Sequence, residues 1–242
     1  MSACRRSGYP LAMQFSSLIL PVMLLQSGGK LQVTDLKVGS GPAAQNGDVL
    51  VMDYTGTLLS GKEFDSSKKP GRTPFQFTIG AGMVIKGWDQ GILGMKVGGR
   101  RHLIIPPSLG YGDQAMGTEI PSNSTLVFDV ELKKILRVKI LTTKVGHGTP
   151  VKLGQSVQVH YLGKFTDGKK FDSSYDRNEP LTVTLGRQGL IPGFTQGILG
   201  MKTGEKRTVT IPPELGYGAR QAGPIPPNST LVFELELVKV LP

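Results

Sequence analysis

Cysteine is all but missing from this chain. Cys4 is the only one in 242 residues, so neither an intrachain disulfide nor a thiolate metal cluster can form. Histidine is nearly as scarce. His102, His147 and His160 stand apart, without the H-x-x-H or H-E-x-x-H spacing of a zinc site. No Ser–His–Asp order with a nucleophile elbow is present, nor a P-loop. The glycine clusters "GAGM" and "GMKVGG" lack Walker or dinucleotide spacing and read as turns. Beyond residue 28 no apolar run is long enough to span a bilayer. Metal, thiol and phosphate-cradling chemistry therefore have no motif to stand on, and no cofactor is expected.

Acidic residues are also in deficit, giving a net charge of +10. The excess is +5 in residues 1–137 and +5 in residues 138–242, spread along strands and turns and gathered in no run or stripe. That distribution describes a solvated cationic surface, with weak salt-dependent affinity for polyanions but no dedicated nucleic-acid face.

What the chain has in abundance is itself. "QGILGMKVGGRRHLIIPPSLGYG", from Gln90, returns as "QGILGMKTGEKRTVTIPPELGYG", from Gln196. The copies are 107 residues apart at Tyr54/Tyr161 and Phe64/Phe171, 106 at Gln90/Gln196 and Tyr111/Tyr217, and 105 at Phe128/Phe233. Two one-residue length differences thus fall inside the repeat. A period this long exceeds that of a solenoid and marks a duplicated domain, each copy able to bury its own core. The expected domains are 29–137 and 138–242. Between them "ELKKILRVKILTTKVGHG" contains no flexible linker, so limited freedom between the halves is expected. Residues 1–28 have no counterpart in the second copy. Arg5 and Arg6 precede the apolar-leaning "LAMQFSSLILPVMLLQSGG", which Pro21 interrupts. Two readings stay open: a signal or membrane-targeting segment, which places the domains outside the cytoplasm, or an N-terminal tail, which does not.

Each copy is predominantly strand. "DVLVMDYTGTLL" and "SVQVHYLGKF" combine β-branched and aromatic residues in partial alternation, and "TLVFDVELKKI" and "TLVFELELVKV" alternate cleanly. "PFQFTIG" and "PLTVTLG" are shorter strands ended by Gly80 and Gly186. One segment per copy has a helical period. Ile85, Trp88 and Ile92 share a face in the first, as do Ile191, Phe194 and Ile198 in the second. Gly94 suits the residue beyond a helix end, and Pro192 suits a first helical turn. The fold class is α+β: two domains, each an antiparallel sheet packed on one short helix.

In place of a polar catalytic constellation, the repeat carries an apolar one: Tyr54, Phe64, Phe75, Val84, Ile85, Trp88, Tyr111, Ile120 and Phe128. Any one of these is at home in a core. As a set beside turns, with two tyrosine hydroxyls needing partners, they describe an apolar concavity with polar handles.

In order, the first half reads "YTG … GKEFDSS … VIKGW … LGYG … IPSNSTLVFDVEL" and the second "YLG … GKKFDSS … LIPGF … LGYG … IPPNSTLVFELEL". Both resemble the FKBP family of peptidyl-prolyl cis–trans isomerases, over residues 31–136 and 138–241. The resemblance implies a five- or six-stranded antiparallel sheet wrapped around a short helix, and rotation about X–Pro bonds of proline-containing polypeptides. It also implies roles. Trp88 becomes the floor under the proline ring, with Phe75, Val84, Phe128 and Tyr54 as walls. The Ile85 N–H and Tyr111 hydroxyl become donors to substrate carbonyls. Asp65 fixes Tyr54, and Phe64 and Ile120 shape the side facing the residue before proline. In the second half the matching positions are Tyr161, Phe171, Asp172, Leu181, Leu190, Ile191, Phe194, Tyr217, Ile225 and Phe233. The departures are Phe194 for the floor tryptophan, Leu181 for Phe75, a flap one residue shorter, and Met116 and Glu119 in the first flap. Activity is expected in both domains and more of it in the first. The resemblance extends to macrolides such as tacrolimus and rapamycin as ligands. A module that holds proline-containing segments with little turnover is the competing expectation, favoured by the duplication.

Overall fold

The computed structural model describes residues 29–187 and 189–242. The alternatives for residues 1–28, and Cys4 with them, lie outside the described residues. The first half comprises β1 (Gln32–Lys37), β2 (Val49–Leu58), β3 (Glu63–Ser66), β4 (Phe75–Thr78), α1 (Lys86–Gly91), β5 (Arg100–Ile105) and β6 (Leu126–Leu136). The second comprises β7 (Lys139–Lys144), β8 (Ser156–Phe165), β9 (Lys170–Ser173), β10 (Leu181–Thr184), α2 (Pro192–Ile198), β11 (Lys206–Ile211) and β12 (Leu231–Val240). Each half builds a six-stranded sheet, and every strand pair is antiparallel. In the first the order is β1-β5-β6-β2-β3, with β4 also paired to β2. The second has the same plan. Among the described residues no helix is long and apolar enough to cross a membrane.

Alternation places the core. Leu126, Phe128, Val130 and Leu132 of β6 are buried on the face that receives Leu50, Met52 and Tyr54 of β2, as a period of two requires. Gly87 and Gly193 let the helices lie close against the sheets. A Cβ at Gly87 would meet Ile105 Cγ2 at 2.4 Å, and one at Gly193 would meet Ile211 Cγ2 at 2.3 Å. The first helix is shorter than its pattern suggests. It ends at Gly91, and Gly94, although at φ +75°, sits three residues beyond, giving its N–H to Ala44 O at 3.0 Å. Pro192 does open α2.

The halves are packed on each other. Between Leu132 and Lys134 the β6–β2 register shifts by one residue, so the strand's faces exchange beyond that point. Ile135 then turns to the first core and Leu136 to the second, joined there by Val49 from the outer face of β2. Gln196 of α2 clamps the junction. Its Nε2 donates to Gly47 O (3.1 Å) and Leu136 O (3.0 Å), and its Oε1 accepts from Val138 N (3.0 Å). Arg137 grips the buried Asp48 through Nε and Nη2, both at 2.6 Å, a bidentate pair. Gly47 is required twice over here, by φ +89° and by Leu199, whose Cδ2 lies 2.2 Å from where a Cβ would stand.

Candidate functional site

In each half a cavity opens between the helix N-terminus, the concave face of the sheet and the loop after the third long strand. The first measures about 240 Å³ and is lined by Tyr54, Phe64, Asp65, Phe75, Met83, Val84, Ile85, Trp88, Tyr111 and Phe128. The second measures about 330 Å³ and is lined by Tyr161, Phe171, Asp172, Leu181, Gly189, Leu190, Ile191, Phe194, Tyr217, Ala222, Pro224, Ile225 and Phe233.

All but one of the residues expected at these sites line their cavities. The exception is Ile120. It is 7 % exposed and packed in the first core, outside the lining of the first cavity, whereas its counterpart Ile225 lines the second. The flap turns differ beside them. Met116 and Ile120 exchange backbone hydrogen bonds across three residues, Ala222 and Ile225 across two. The extra residue of the first copy is spent in that turn. Four lining residues had no expected role: Met83, Gly189, Ala222 and Pro224. The last two belong to the flap that differs between the copies, which was the signal available for them.

Aromatic packing sets the first cavity. Trp88, 4 % exposed, meets Tyr54 and Phe128 edge-on at centroid distances of 5.3 and 5.2 Å. Phe75, 40 % exposed, stacks on Phe77 at 5.5 Å and turns an edge to Trp88 at 6.1 Å. Phe64 stands edge-on to Phe128 at 5.5 Å. This close approach depends on Gly56 in β2. A Cβ there would lie 2.7 Å from both the Phe128 and Phe64 rings, and Gly163 makes the same room for Phe171 and Phe233. The indole Nε1–H of Trp88 is buried with no hydrogen-bond partner among the described residues. The second cavity keeps the plan with fewer rings. Phe194 meets Tyr161 at 5.8 Å and Phe233 at 5.2 Å, and Leu181 takes the place of Phe75.

The polar handles are tyrosine–carboxylate pairs. Tyr54 donates its hydroxyl to Asp65 Oδ2 at 2.5 Å, while Asp65 Oδ1 accepts from Ser66 N and from Arg72, both at 2.9 Å. Burial, and then this hydrogen bond, push the Tyr54 pKa up to about 12. Tyr111 is also raised, by burial first and by the nearby Asp65 second. In the second half Tyr161 donates to Asp172, and Arg177 reaches both partners, at 2.9 Å from Asp172 Oδ1 and 2.7 Å from the Tyr161 hydroxyl. Burial alone would raise the Asp172 carboxyl. The hydrogen bonds from Tyr161, Arg177 and Ser173 N outweigh it and hold the pKa below the ordinary value. Arg177 comes from a 3₁₀ turn, Tyr175–Arg177, in the connection after β9. The corresponding connection in the first copy is one residue longer, which locates the other length difference. Neither arginine was anticipated from sequence.

At the head of each helix, Ile85 and Ile191 are extended (ψ 148° and 142°). Their N–H groups donate to no backbone carbonyl among the described residues. Such a site can hold an apolar ring and offer donors to carbonyl oxygens. Its carboxylates are engaged by the tyrosine hydroxyls and arginines beside them, and among the described residues no group of side chains could hold a metal ion.

The sequence model of the family described as FKBP-type peptidyl-prolyl cis-trans isomerase matches residues 41–133 and again 148–238. The chain is 41 % identical over 201 residues to peptidyl-prolyl cis-trans isomerase FKBP10 of Homo sapiens, an alignment covering 80 % of this chain and 34 % of that protein. It is 40 % identical over 200 residues to human FKBP9, covering 80 % of this chain and 35 % of that protein. The chain thus spans about a third of the length of these relatives. It is also 66 % identical over 88 residues to FK506-binding protein 2 of Dictyostelium discoideum, covering 36 % of this chain and 65 % of that one. The chain belongs to the FKBP-type peptidyl-prolyl cis-trans isomerase family, with one family domain in each half.

Proposed function

We propose that the protein accelerates rotation about X–Pro peptide bonds, with both cavities acting and the first acting faster. The observation that carries this reading is the cavity itself, an aromatic-walled hollow at a helix head that offers hydrogen-bond donors and ties its carboxylate to a tyrosine hydroxyl. Rotation about an amide meets a barrier of about 18–20 kcal/mol set by lost resonance, and no bond is broken. The twisted amide is less dipolar than the planar one, so an apolar site favours the transition state over the ground state. About 4 kcal/mol of that difference gives roughly a thousandfold acceleration.

In this mechanism the proline ring enters over Trp88, between Tyr54, Phe75, Val84 and Phe128. The Ile85 N–H holds a substrate carbonyl. Tyr111, kept protonated by burial and by Asp65, donates to the carbonyl oxygen of the twisting amide. Asp65 acts through Tyr54, fixing that wall, and is a positioning residue. Phe64 shapes the side that meets the residue before proline. Tyr161, Phe171, Asp172, Leu190, Ile191, Tyr217 and Phe233 repeat these parts in the second cavity, with Phe194 as its floor and Leu181 and Ile225 on its walls. The wider second cavity holds a proline less closely, which supports the ranking. The first cavity is also proposed to take macrolides such as tacrolimus (FK506) or rapamycin, a reading supported by the name of the Dictyostelium relative.

The test is the cis-to-trans rate of short X–Pro peptides with the intact chain, then with Tyr111→Phe and Tyr217→Phe. We expect strong acceleration, reduced more by Tyr111→Phe. No acceleration by the intact chain would refute the reading, and a larger loss from Tyr217→Phe would reverse the ranking.

A further inference from the structure

A third concavity, of about 890 Å³, lies between the two domains. It borders both proline cavities. Met83 lines it and the first cavity, and Gly189 and Leu190 line it and the second. Its opposing walls are the loops that lead into the two helices, and these loops come close to each other. A Cβ built on Gly186 would lie 3.4 Å from the Ala81 Cβ. Asp89 pins the first of them, accepting from Gly80 N at 2.8 Å and Gly82 N at 3.3 Å.

We propose that one extended polypeptide of another protein, carrying two prolines, occupies both proline cavities at once, with the residues between the prolines lying in this groove. The proposal rests on the proline-binding reading of the two cavities. Three features point to such an occupant. The groove shares Met83 with the first proline cavity and Gly189 and Leu190 with the second, so a chain lying in it adjoins a wall of each. Its glycines bring backbone to the surface, where an extended chain can approach closely, and Met83, 60 % exposed, is an adaptable apolar contact. Among the described residues Arg187 is the one charged residue lining the groove, so the spanning segment is neutral or acidic, and a basic segment is disfavoured.

The junction makes the spacing selective. The Gln196 clamp, reaching from the second domain to Gly47 O and Leu136 O of the first, holds the domains in register, so the second proline is captured only when the intervening chain matches the span. Where it does, the second binding step becomes intramolecular and affinity rises without new contacts.

The experiment is calorimetric titration of the full chain with peptides bearing two X–Pro units, separated by about two to about twelve extended residues of Gly, Ser and Glu, against single-proline controls. We expect one two-proline peptide per chain and an affinity maximum at one spacing, at least about tenfold above the single-proline peptides. Arg187→Glu should remove most of that gain for acidic spacers and leave single-proline binding unchanged. Two peptides per chain with no dependence on spacing would overturn the proposal, as would one peptide bridging two chains. Single-proline binding without any gain sinks the groove alone. Absence of single-proline binding sinks the proline-site reading as well.

Discussion

The two cavities are built on one plan and differ where the floor and one wall are chosen. Trp88 and Phe75 in the first become Phe194 and Leu181 in the second, and the cavity grows from about 240 to about 330 Å³. The larger indole fills space and brings with it a buried N–H that has no partner among the described residues, whereas the Phe194 side chain carries no polar atom. The tyrosine–carboxylate handles differ in the opposite sense. Of each handle's two partners, Arg72 pairs with Asp65, whereas Arg177 ties both Asp172 and Tyr161. One copy is closely walled by rings, the other more tightly braced at its handle. Duplication preserved the hollow and let its lining drift.

The largest test of that comparison removes the floor. Trp88→Ala should cost the first domain about 3–5 kcal/mol, the range for emptying a buried aromatic site, and abolish most of its catalysis. Calorimetry of the intact chain would register it as a lowered unfolding temperature, and a cost below about 1 kcal/mol would show that the ring is not packed as described. Next in size is the junction. Gln90 and Gln196 are equivalent in the repeat, yet Gln90 is exposed and Gln196 is buried as the clamp. Gln196→Ala leaves two carbonyls and one N–H without their partner, at about 1–3 kcal/mol, and should let the domains unfold separately. Gln90→Ala should change stability by no more than about 0.5 kcal/mol. Equal effects would erase the distinction between the copies.

That pair of glutamines also marks where sequence reasoning stops. The repeat, the alternating strands and the helix faces were legible because periodicity reports burial directly, and nearly every cavity residue followed from its place in a motif. Ile120 did not. Ile120 and Ile225 are buried alike in their cores, at 7 % and 5 % exposed, and the one beside the shorter turn also lines its cavity, a difference that local pattern does not encode. Arg72 and Arg177 were invisible because their partners are set by loop conformation. The junction was legible only as a missing linker. Leu136 and Val49 read as ordinary strand residues until the register shift in β6 turns one outward and the neighbouring domain covers the other.

The tyrosine and the carboxylate of a handle predict opposite pH behaviour. Tyr54, raised to about 12, is neutral in the folded state well past its ordinary value. Its contribution to stability is therefore complete below about pH 10 and is lost as pH rises through about 12. Asp172 is lowered, so its contribution is present above about pH 4 and is lost as pH falls through its depressed folded value. Ultraviolet titration should find Tyr54 ionising late, and carboxyl NMR should find Asp172 ionising early. Arg177→Ala should move the Asp172 titration upward, and an unmoved titration would remove the arginine from the handle.

The smallest expected change is the most informative about the ranking. Trp88→Phe gives the first cavity the floor of the second. It forfeits part of the buried area of the indole, which destabilises, and it deletes a buried donor without a partner, which relieves a cost of about 1–3 kcal/mol. These effects oppose each other, so stability should move by no more than about 1 kcal/mol while the cavity widens towards that of the second domain. If the floor sets the rate, the first-domain activity should fall several-fold while the fold holds, and Phe194→Trp should raise the second. If Trp88→Phe leaves the rate unchanged, the difference between the domains belongs to Phe75 and Leu181, the wall nearest the solvent, and the ranking should then follow a Phe75→Leu exchange instead.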